Sequence, residues 1–136
     1  FNKFNSFVEA LAEKVHNRGT DTLKLLLTNA APIATNTVKA NLTEIAAGNG
    51  YSAGGPTVTV SSSGQTSGTY KLVIDDVTIT ASGGSIASFR YFVLYNDTAT
   101  NDELIGWWDY GSSVTLANGE SITADFSASN GALQIS

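Results

Sequence analysis

Residues 88–110 read SFRYFVLYNDTATNDELIGWWDY, two apolar runs separated by a polar loop. Side chains alternate between the two faces of a β-strand, and here both faces of each run are largely apolar. A strand with two apolar faces is covered on both sides. We therefore expect these strands in the middle of a sheet, under a second sheet or against a neighbouring subunit.

Strict alternation also assigns individual side chains to faces. One face of the first strand carries Phe89, Tyr91, Val93 and Tyr95, and the other carries Arg90, Phe92 and Leu94. One face of the second strand carries Leu104, Trp108 and Tyr110, and the other carries Ile105 and Trp107. Each aromatic side chain buries about 150–250 Å². Since both tryptophans lie here, we expect the core or the main interface in this segment.

Short strands and turns continue over the rest of the chain. The predicted strands are Thr22–Asn29, Thr57–Ser62, Thr69–Ile74, Val77–Ala81, Ser88–Asn96, Leu104–Tyr110, Val114–Leu116, Ser121–Ser127 and Ala132–Ile135. Asn118-Gly119 is the clearest hairpin turn, joining the strands on either side of it. This pattern predicts an all-β fold, a β-sandwich or jelly roll of roughly eight or nine strands.

Two segments depart from the strand pattern. Residues 6–18 predict one short N-terminal α-helix, which begins at an S-x-x-E capping box of Ser6 and Glu9 and ends at Arg18-Gly19. Residues 30–56 form a long irregular connection, with a short helix over Thr37–Ala47 as an alternative to an extended course. A connection of this length is expected to carry contacts.

The composition indicates one β-sandwich domain over residues 1–136, with residues 1–18 as an N-terminal arm and helix. Charged residues make up 14% of the chain, against a usual fraction of about 25%. The net charge of −5 and the absence of a Lys/Arg cluster argue against nucleic-acid binding. The sequence has no cysteine, no apolar run that would span a membrane and no visible secretion signal.

No group of residues predicts catalysis, so we expect no enzyme activity, no cofactor and no metal site. His16 is the one histidine, and we expect it exposed near the helix end. Asp75 and Asp76 are adjacent, which is typical of a solvated turn. Residues 96–103 form an acidic loop whose oxygens suit Ca²⁺, but the loop lacks the ligand spacing and glycine of an EF-hand. We interpret it as an ordinary loop, with calcium binding as the alternative.

Three stretches resemble small virion-associated structural proteins of tailed bacteriophages. They are FNSFVEALAEKVHNRGTDTLKLLLTNAAP (4–32), TEIAAGNGYSAGG (43–55) and FRYFVLYNDTATNDELIGWWDYGSSVTLANGES (89–121). Head-decoration (cement) proteins are the most similar group. The resemblance implies a β-sandwich or jelly roll carried in many copies on a capsid, with the major capsid protein or another virion protein as partner. It carries over no catalytic residues.

The low charge and the two-faced apolar strands likewise predict a homo-oligomer or attachment to a larger assembly. The candidate interface residues are the apolar side chains Phe4, Phe7, Leu11, Trp107 and Trp108. The arm and helix are expected to dock on a neighbouring subunit or on the shell, or alternatively to cap their own sandwich. Two other functions stay open: a tail, fibre or filament subunit, and a carbohydrate-binding module that uses Trp107 or Trp108.

Overall fold

A computed structural model describes residues 1–136. The nine strands are β1 (Asn2–Lys3), β2 (Leu23–Thr28), β3 (Val60–Thr66), β4 (Thr69–Ile74), β5 (Val77–Thr80), β6 (Ile86–Asn96), β7 (Leu104–Leu116), β8 (Ser121–Ala124) and β9 (Leu133–Ile135). One α-helix, α1 (Ser6–Ala12), follows β1, and one 3-10 turn covers Lys39–Asn41. The predicted all-β fold with one short N-terminal helix is confirmed.

The strands form three antiparallel sheets, with the orders β1-β7-β6-β2, β3-β4-β9 and β5-β8. Their inner faces meet in one core. Leu25 of β2 and Leu94 of β6 pack in the same buried cluster as Leu72 of β4 and Ile79 of β5. The four-stranded sheet thus lies against the two smaller sheets, in a sandwich-like arrangement.

The outer face of the four-stranded sheet is covered as well. Leu26, Val93, Tyr95 and Leu104 are fully buried there, in a second cluster completed by Phe4 from the N-terminal arm. The middle strands of this sheet are therefore apolar on both faces because one face meets the smaller sheets and the other meets the chain's own arm. The arm takes the place that a neighbouring subunit was expected to fill.

A β-bulge changes which residues of β6 share a face. The β6–β7 register shifts between Phe89 and Tyr91. Phe89 consequently lies in the main core with Phe92 and Leu94, not with Val93. At this shift β6 runs only from Phe89 to Tyr91 while β7 runs from Asp109 to Val114, so the pairing is irregular over a longer stretch than a single extra residue. The irregular pairing breaks the alternation, and the face predicted for Phe89 is wrong.

A one-residue bulge lies near the start of β7, at Ile105. Leu94 pairs with Gly106 and Tyr95 with Leu104, which leaves Ile105 as the extra residue. The side chains before and after this point therefore regroup: Leu104 clusters with Trp107, and Ile105 with Trp108. Strict alternation predicted the opposite grouping, and it is wrong for the same reason.

The predicted hairpin at Asn118-Gly119 is also wrong. β7 runs without interruption from Leu104 to Leu116, and β8 pairs with β5. The turn instead bonds to the end of β5, since Gly119 N donates to Ala81 O at 2.8 Å and Ala81 N donates to Glu120 O at 2.8 Å. The turn joins strands of two different sheets.

The N-terminal helix is shorter than predicted. It ends at Ala12, and Lys14 has a left-handed backbone with φ of 63°. The capping box does not form, because Asn5 already has helical dihedral angles and Ser6 Oγ is buried without a hydrogen-bond partner. Packing of Phe7 into the main core holds this short helix in place.

Residues 30–56 cover the outer edge of β2. Ile45 N donates to Leu27 O at 3.1 Å, and Leu25 N donates to Pro56 O at 3.0 Å. Tyr51 secures the segment from inside: its hydroxyl accepts from Leu27 N at 3.0 Å and donates to Glu44 Oε1 at 2.8 Å. Burial of this hydroxyl raises the pKa of Tyr51 well above its usual value. The long connection carries contacts, and its helical part is a single 3-10 turn.

Candidate functional site

The arm and helix pack on their own chain. Phe4 is 0% exposed and Phe7 is 2% exposed, so neither of these expected interface residues offers surface to a partner. The Phe4 ring lies 4.5 Å from that of Trp107, centroid to centroid. Leu11 is half-buried and packs at the margin of the main core. Residues 1–18 were expected either to dock on a partner or to cap their own sandwich, and in this structure they cap it.

The two tryptophans are both half-buried, on opposite faces of β7. Trp107 lies over the outer cluster beside Phe4. Trp108 lies between two other rings, with centroids 5.1 Å from Phe1 and 5.1 Å from Phe126. These spacings are typical of packed aromatic pairs, so Trp108 joins the N-terminal arm to the segment after β8.

Gly106 allows the arm to cross β7. β1 pairs with β7 through Asn2 opposite Trp107 and Lys3 opposite Gly106. A Cβ atom at Gly106 would overlap the Phe1 ring and approach Asn2 O. The missing side chain is therefore what lets Phe1 reach Trp108.

Two depressions flank the Phe1–Trp108 pair. A groove of about 410 Å³ lies between the arm, α1 and β9, and its apolar lining includes Phe1, Val8 and Leu11. A cleft of about 160 Å³ lies between β7 and residues 123–126, and Trp108 and Phe126 line it. The pair forms the wall between the groove and the cleft.

Three of the chain's four large exposed apolar side chains lie at these depressions. Phe1 is 51%, Val8 is 52% and Tyr110 is 54% exposed, whereas the fourth, Ile33 at 59%, lines neither. We call this region the Phe1–Trp108 surface and define it by Phe1, Val8, Leu11, Trp108, Tyr110 and Phe126. Contiguous apolar surface of this kind marks interaction sites. Phe1 has the apolar character expected of a docking arm, but the sequence did not indicate that Val8, Tyr110 and Phe126 would cluster with it, because that clustering depends on long-range packing.

Three charged side chains line the two depressions, Lys3 in the groove and Asp109 and Asp125 in the cleft. Asp109, in the cleft, accepts two hydrogen bonds from the Arg90 guanidinium, at 2.7 and 2.8 Å, and one from Gly111 N at 2.8 Å. The hydrogen bond from Arg90 lowers the pKa of Asp109, and the bond from Gly111 adds to the effect. Asp125 contributes a second, exposed carboxylate.

The cleft offers little open ring surface to a sugar. A sugar stacks on an exposed aromatic face, but Phe1 and Phe126 pack against Trp108. Tyr110 is the one aromatic side chain of the cleft that is mostly exposed. The packing around Trp108 therefore suits a protein contact better than carbohydrate stacking.

His16 is buried, at 5% exposure, and the expectation of a solvated histidine is wrong. Its ring lies 5.5 Å from that of Phe7, and Nδ1 is 3.2 Å from Asn96 Nδ2. Asn96, 0% exposed, also donates to Asp21 Oδ2 at 2.7 Å and to Val15 O at 3.2 Å. This cluster ties the segment after α1 to the loop after β6, which is a structural role.

Two of the three carboxylates of the acidic loop form ion pairs, and the third, that of Glu103, accepts hydrogen bonds from Asn101. Asp97 lies 3.0 Å from Lys24 Nζ, and Asp102 lies 3.2 Å from Lys39 Nζ. No group of three or more His, Asp or Glu side chains is arranged to hold a metal ion. The loop thus connects β2 and the 30–56 segment to the end of β6.

No helix of the chain has the length and apolar character that crossing a bilayer requires. Comparisons with protein-family models, with curated protein sequences and with solved structures found no match to this chain.

Proposed function

We propose that the protein is a virion structural protein of a tailed bacteriophage, a decoration (cement) protein that binds the major capsid shell. The observation that carries the proposal is the Phe1–Trp108 surface, where three large apolar side chains are about half exposed around two depressions. The resemblance of the sequence to phage virion proteins indicates that the particle is a phage capsid.

The chemistry of this surface suits a shell protein as partner. Of the charged side chains that line the two depressions, Asp109 is already paired with Arg90, which reduces the cost of covering it. Burying one large apolar side chain stabilises a contact by about 1.5–3 kcal/mol.

The same surface also suits a tail, fibre or filament subunit, in which it would contact the next copy along an axis. The two functions differ in where the protein lies on the particle. A cryo-EM map of virions of the phage that encodes this chain distinguishes them. We expect β-sandwich density at regular positions on the head, with the Phe1–Trp108 surface toward the shell.

Density found only on the tail would contradict the decoration function and support a tail subunit instead. Virions that lack the protein, by mass spectrometry of purified particles, would refute both. For the carbohydrate alternative, Tyr110→Ala in a glycan-array assay is the matching test: glycan binding that depends on Tyr110 would favour that function.

A further inference from the structure

The β3–β4 hairpin presents a free strand edge. β3 is the outer strand of its sheet and pairs only with β4, and residues 61–68 are all exposed. Its sequence, VSSSGQT, contains no charged residue and no proline. Edge strands are usually guarded by charge, by proline or by covering chain. The outer edge of β2 is covered in this way by the preceding irregular segment, whereas β3 beyond its bulge at Ser61 is not.

The turn geometry determines which main-chain groups point outward. Ser67 and Gly68 have φ of 51° and 84°, as in a two-residue type I′ turn. Hydrogen-bonded and non-hydrogen-bonded pairs alternate away from such a turn. The N–H and C=O groups of Gly64 therefore face β4, and those of Ser63 and Gln65 face solvent.

The far side of β4 agrees with this assignment. Leu72 lies opposite Ser63, and its carbonyl accepts from Ala132 N at 2.8 Å, away from β3. Ser63 and Leu72 are thus a pair whose main-chain groups point away from each other, which leaves those of Ser63 unpaired.

We propose that β3 pairs in antiparallel register with β3 of a second copy of this chain, about a two-fold axis at Gly64. In this register Ser63 faces Gln65 of the second copy, and each such pair exchanges both main-chain hydrogen bonds. The two copies of the sheet then join as β9-β4-β3-β3-β4-β9.

Gly64 fits the position on the axis. Residues of a non-hydrogen-bonded antiparallel pair approach to about 4.5 Å between Cα atoms. Gly64 has no side chain to crowd that contact, and no atom lies within 4 Å of the place where its Cβ would be. The strand meets its own copy without steric obstruction.

Charge and side-chain chemistry favour a second copy over a foreign peptide. Two copies of this chain, each with a net charge of −5, meet with the least local repulsion through a strip that carries no charged residue. β3 supplies such a strip. A foreign strand is selected by pockets for its side chains, and the groove beside β3 has no hydrophobic lining residue to select one.

The pairing edge lies on the other side of its sheet from β9, which lines the Phe1–Trp108 groove.

A single introduced thiol tests the pairing. The chain has no cysteine, so Gly64→Cys places one thiol per copy at the proposed axis. Cα atoms at the spacing of such a pair are within the usual range for a disulfide. Ser112→Cys, an exposed position on β7, is the matched control.

Under mild oxidation we expect the Gly64→Cys chain to form covalent dimers at least about ten times faster than the Ser112→Cys chain, because pairing holds its thiols within bonding distance. Adding Gln65→Pro removes one outward donor and leaves the main-chain β3–β4 bonds in place. It also removes the side-chain acceptor of Gly68 N in the turn, so the circular dichroism of the variant is part of the test. That addition should bring the rate down to the control rate, with unchanged circular dichroism. Equal rates for the two single-cysteine chains, or a rate unaffected by Gln65→Pro, would overturn the pairing.

Discussion

His16 makes folding sensitive to acid. Burial lowers its pKa below 6.5, the Arg18 guanidinium lowers it further, and the carboxylates of Glu103 and Asp21 act in the opposite direction. The neutral ring faces the Asn96 amide through Nδ1, while Nε2 is buried without a partner. A proton on Nδ1 would place two donors against each other, so the folded chain resists protonation.

The sign of the pH effect follows from this difference. Below pH 6.5 the unfolded chain binds a proton at His16 that the folded chain does not, so stability falls as the pH is lowered. The slope from one such group is at most about 1.4 kcal/mol per pH unit. Asp109 acts in a different range: its pKa is lowered from 3.8, so the stability that it contributes is lost only under stronger acid.

We therefore expect the urea midpoint of the wild-type chain to decrease between pH 7.5 and pH 5.5, and that of His16→Gln to change less. Glutamine keeps an acceptor near Asn96 but does not titrate. Urea denaturation of both chains at the two pH values makes the comparison. An equal decrease in the two chains would show that His16 is not responsible.

A second residue-scale prediction concerns the two phenylalanines of the arm. Phe4 is fully buried beside Trp107, whereas Phe1 is 51% exposed. Phe4→Ala should lower the free energy of unfolding by about 3–5 kcal/mol, and Phe1→Ala by less than half as much. Thermal or chemical unfolding of the pair measures this difference. Equal losses would mean that the arm does not form the outer core as described.

At the scale of the element, the attachment of β1 depends on Gly106. Gly106→Ala should displace Phe1 and fray β1 from β7, since the added Cβ would overlap the Phe1 ring. Such overpacking costs about 1–3 kcal/mol. Hydrogen exchange at Phe4, whose N–H donates to Ile105 O of β7, should accelerate, with Gly64→Ala, where the space is open, as the control. Unchanged exchange at Phe4 would contradict the close approach.

The elements themselves could be predicted from the sequence, because apolar runs and turn residues are local signals. The strand over Thr69–Ile74 matches its predicted range, and several others differ only at their ends. The predicted strands Leu104–Tyr110 and Val114–Leu116 are one continuous strand, Thr57–Ser62 overlaps β3 only in part, and β1 was not predicted. The pairings could not be predicted in this way. The bulge at Ile105 and the pairing of β8 with β5 depend on contacts between distant segments, which a local pattern does not contain.

The candidate site was only partly predictable for the same reason. Aromatic content identified Trp107 and Trp108, but it did not indicate that Phe4 would cover one and that Phe1 would contact the other. Phe4 and Phe7 have the apolar character of interface residues, and the fold buries both in its own core. Exposure is a property of the packed chain, so it first becomes visible in the structure.

At the scale of the whole molecule, the sandwich has two surfaces that we propose for assembly. The Phe1–Trp108 surface is apolar and is formed by the N-terminal arm, α1, β7 and residues after β8. The β3 edge is polar and uncharged. The first would attach the protein to a shell, and the second would link neighbouring copies. Neither surface needs a catalytic residue.

The rebinding of purified protein to capsids from which it has been removed tests this account most directly. Val8→Glu/Tyr110→Glu adds charge to the Phe1–Trp108 surface, and Ile33→Glu adds charge to an equally exposed apolar side chain outside it. We predict that the double variant binds at least about tenfold more weakly than wild type, because two apolar contacts are lost. Ile33→Glu should bind like wild type. Wild-type affinity and copy number for the double variant would contradict the proposed attachment.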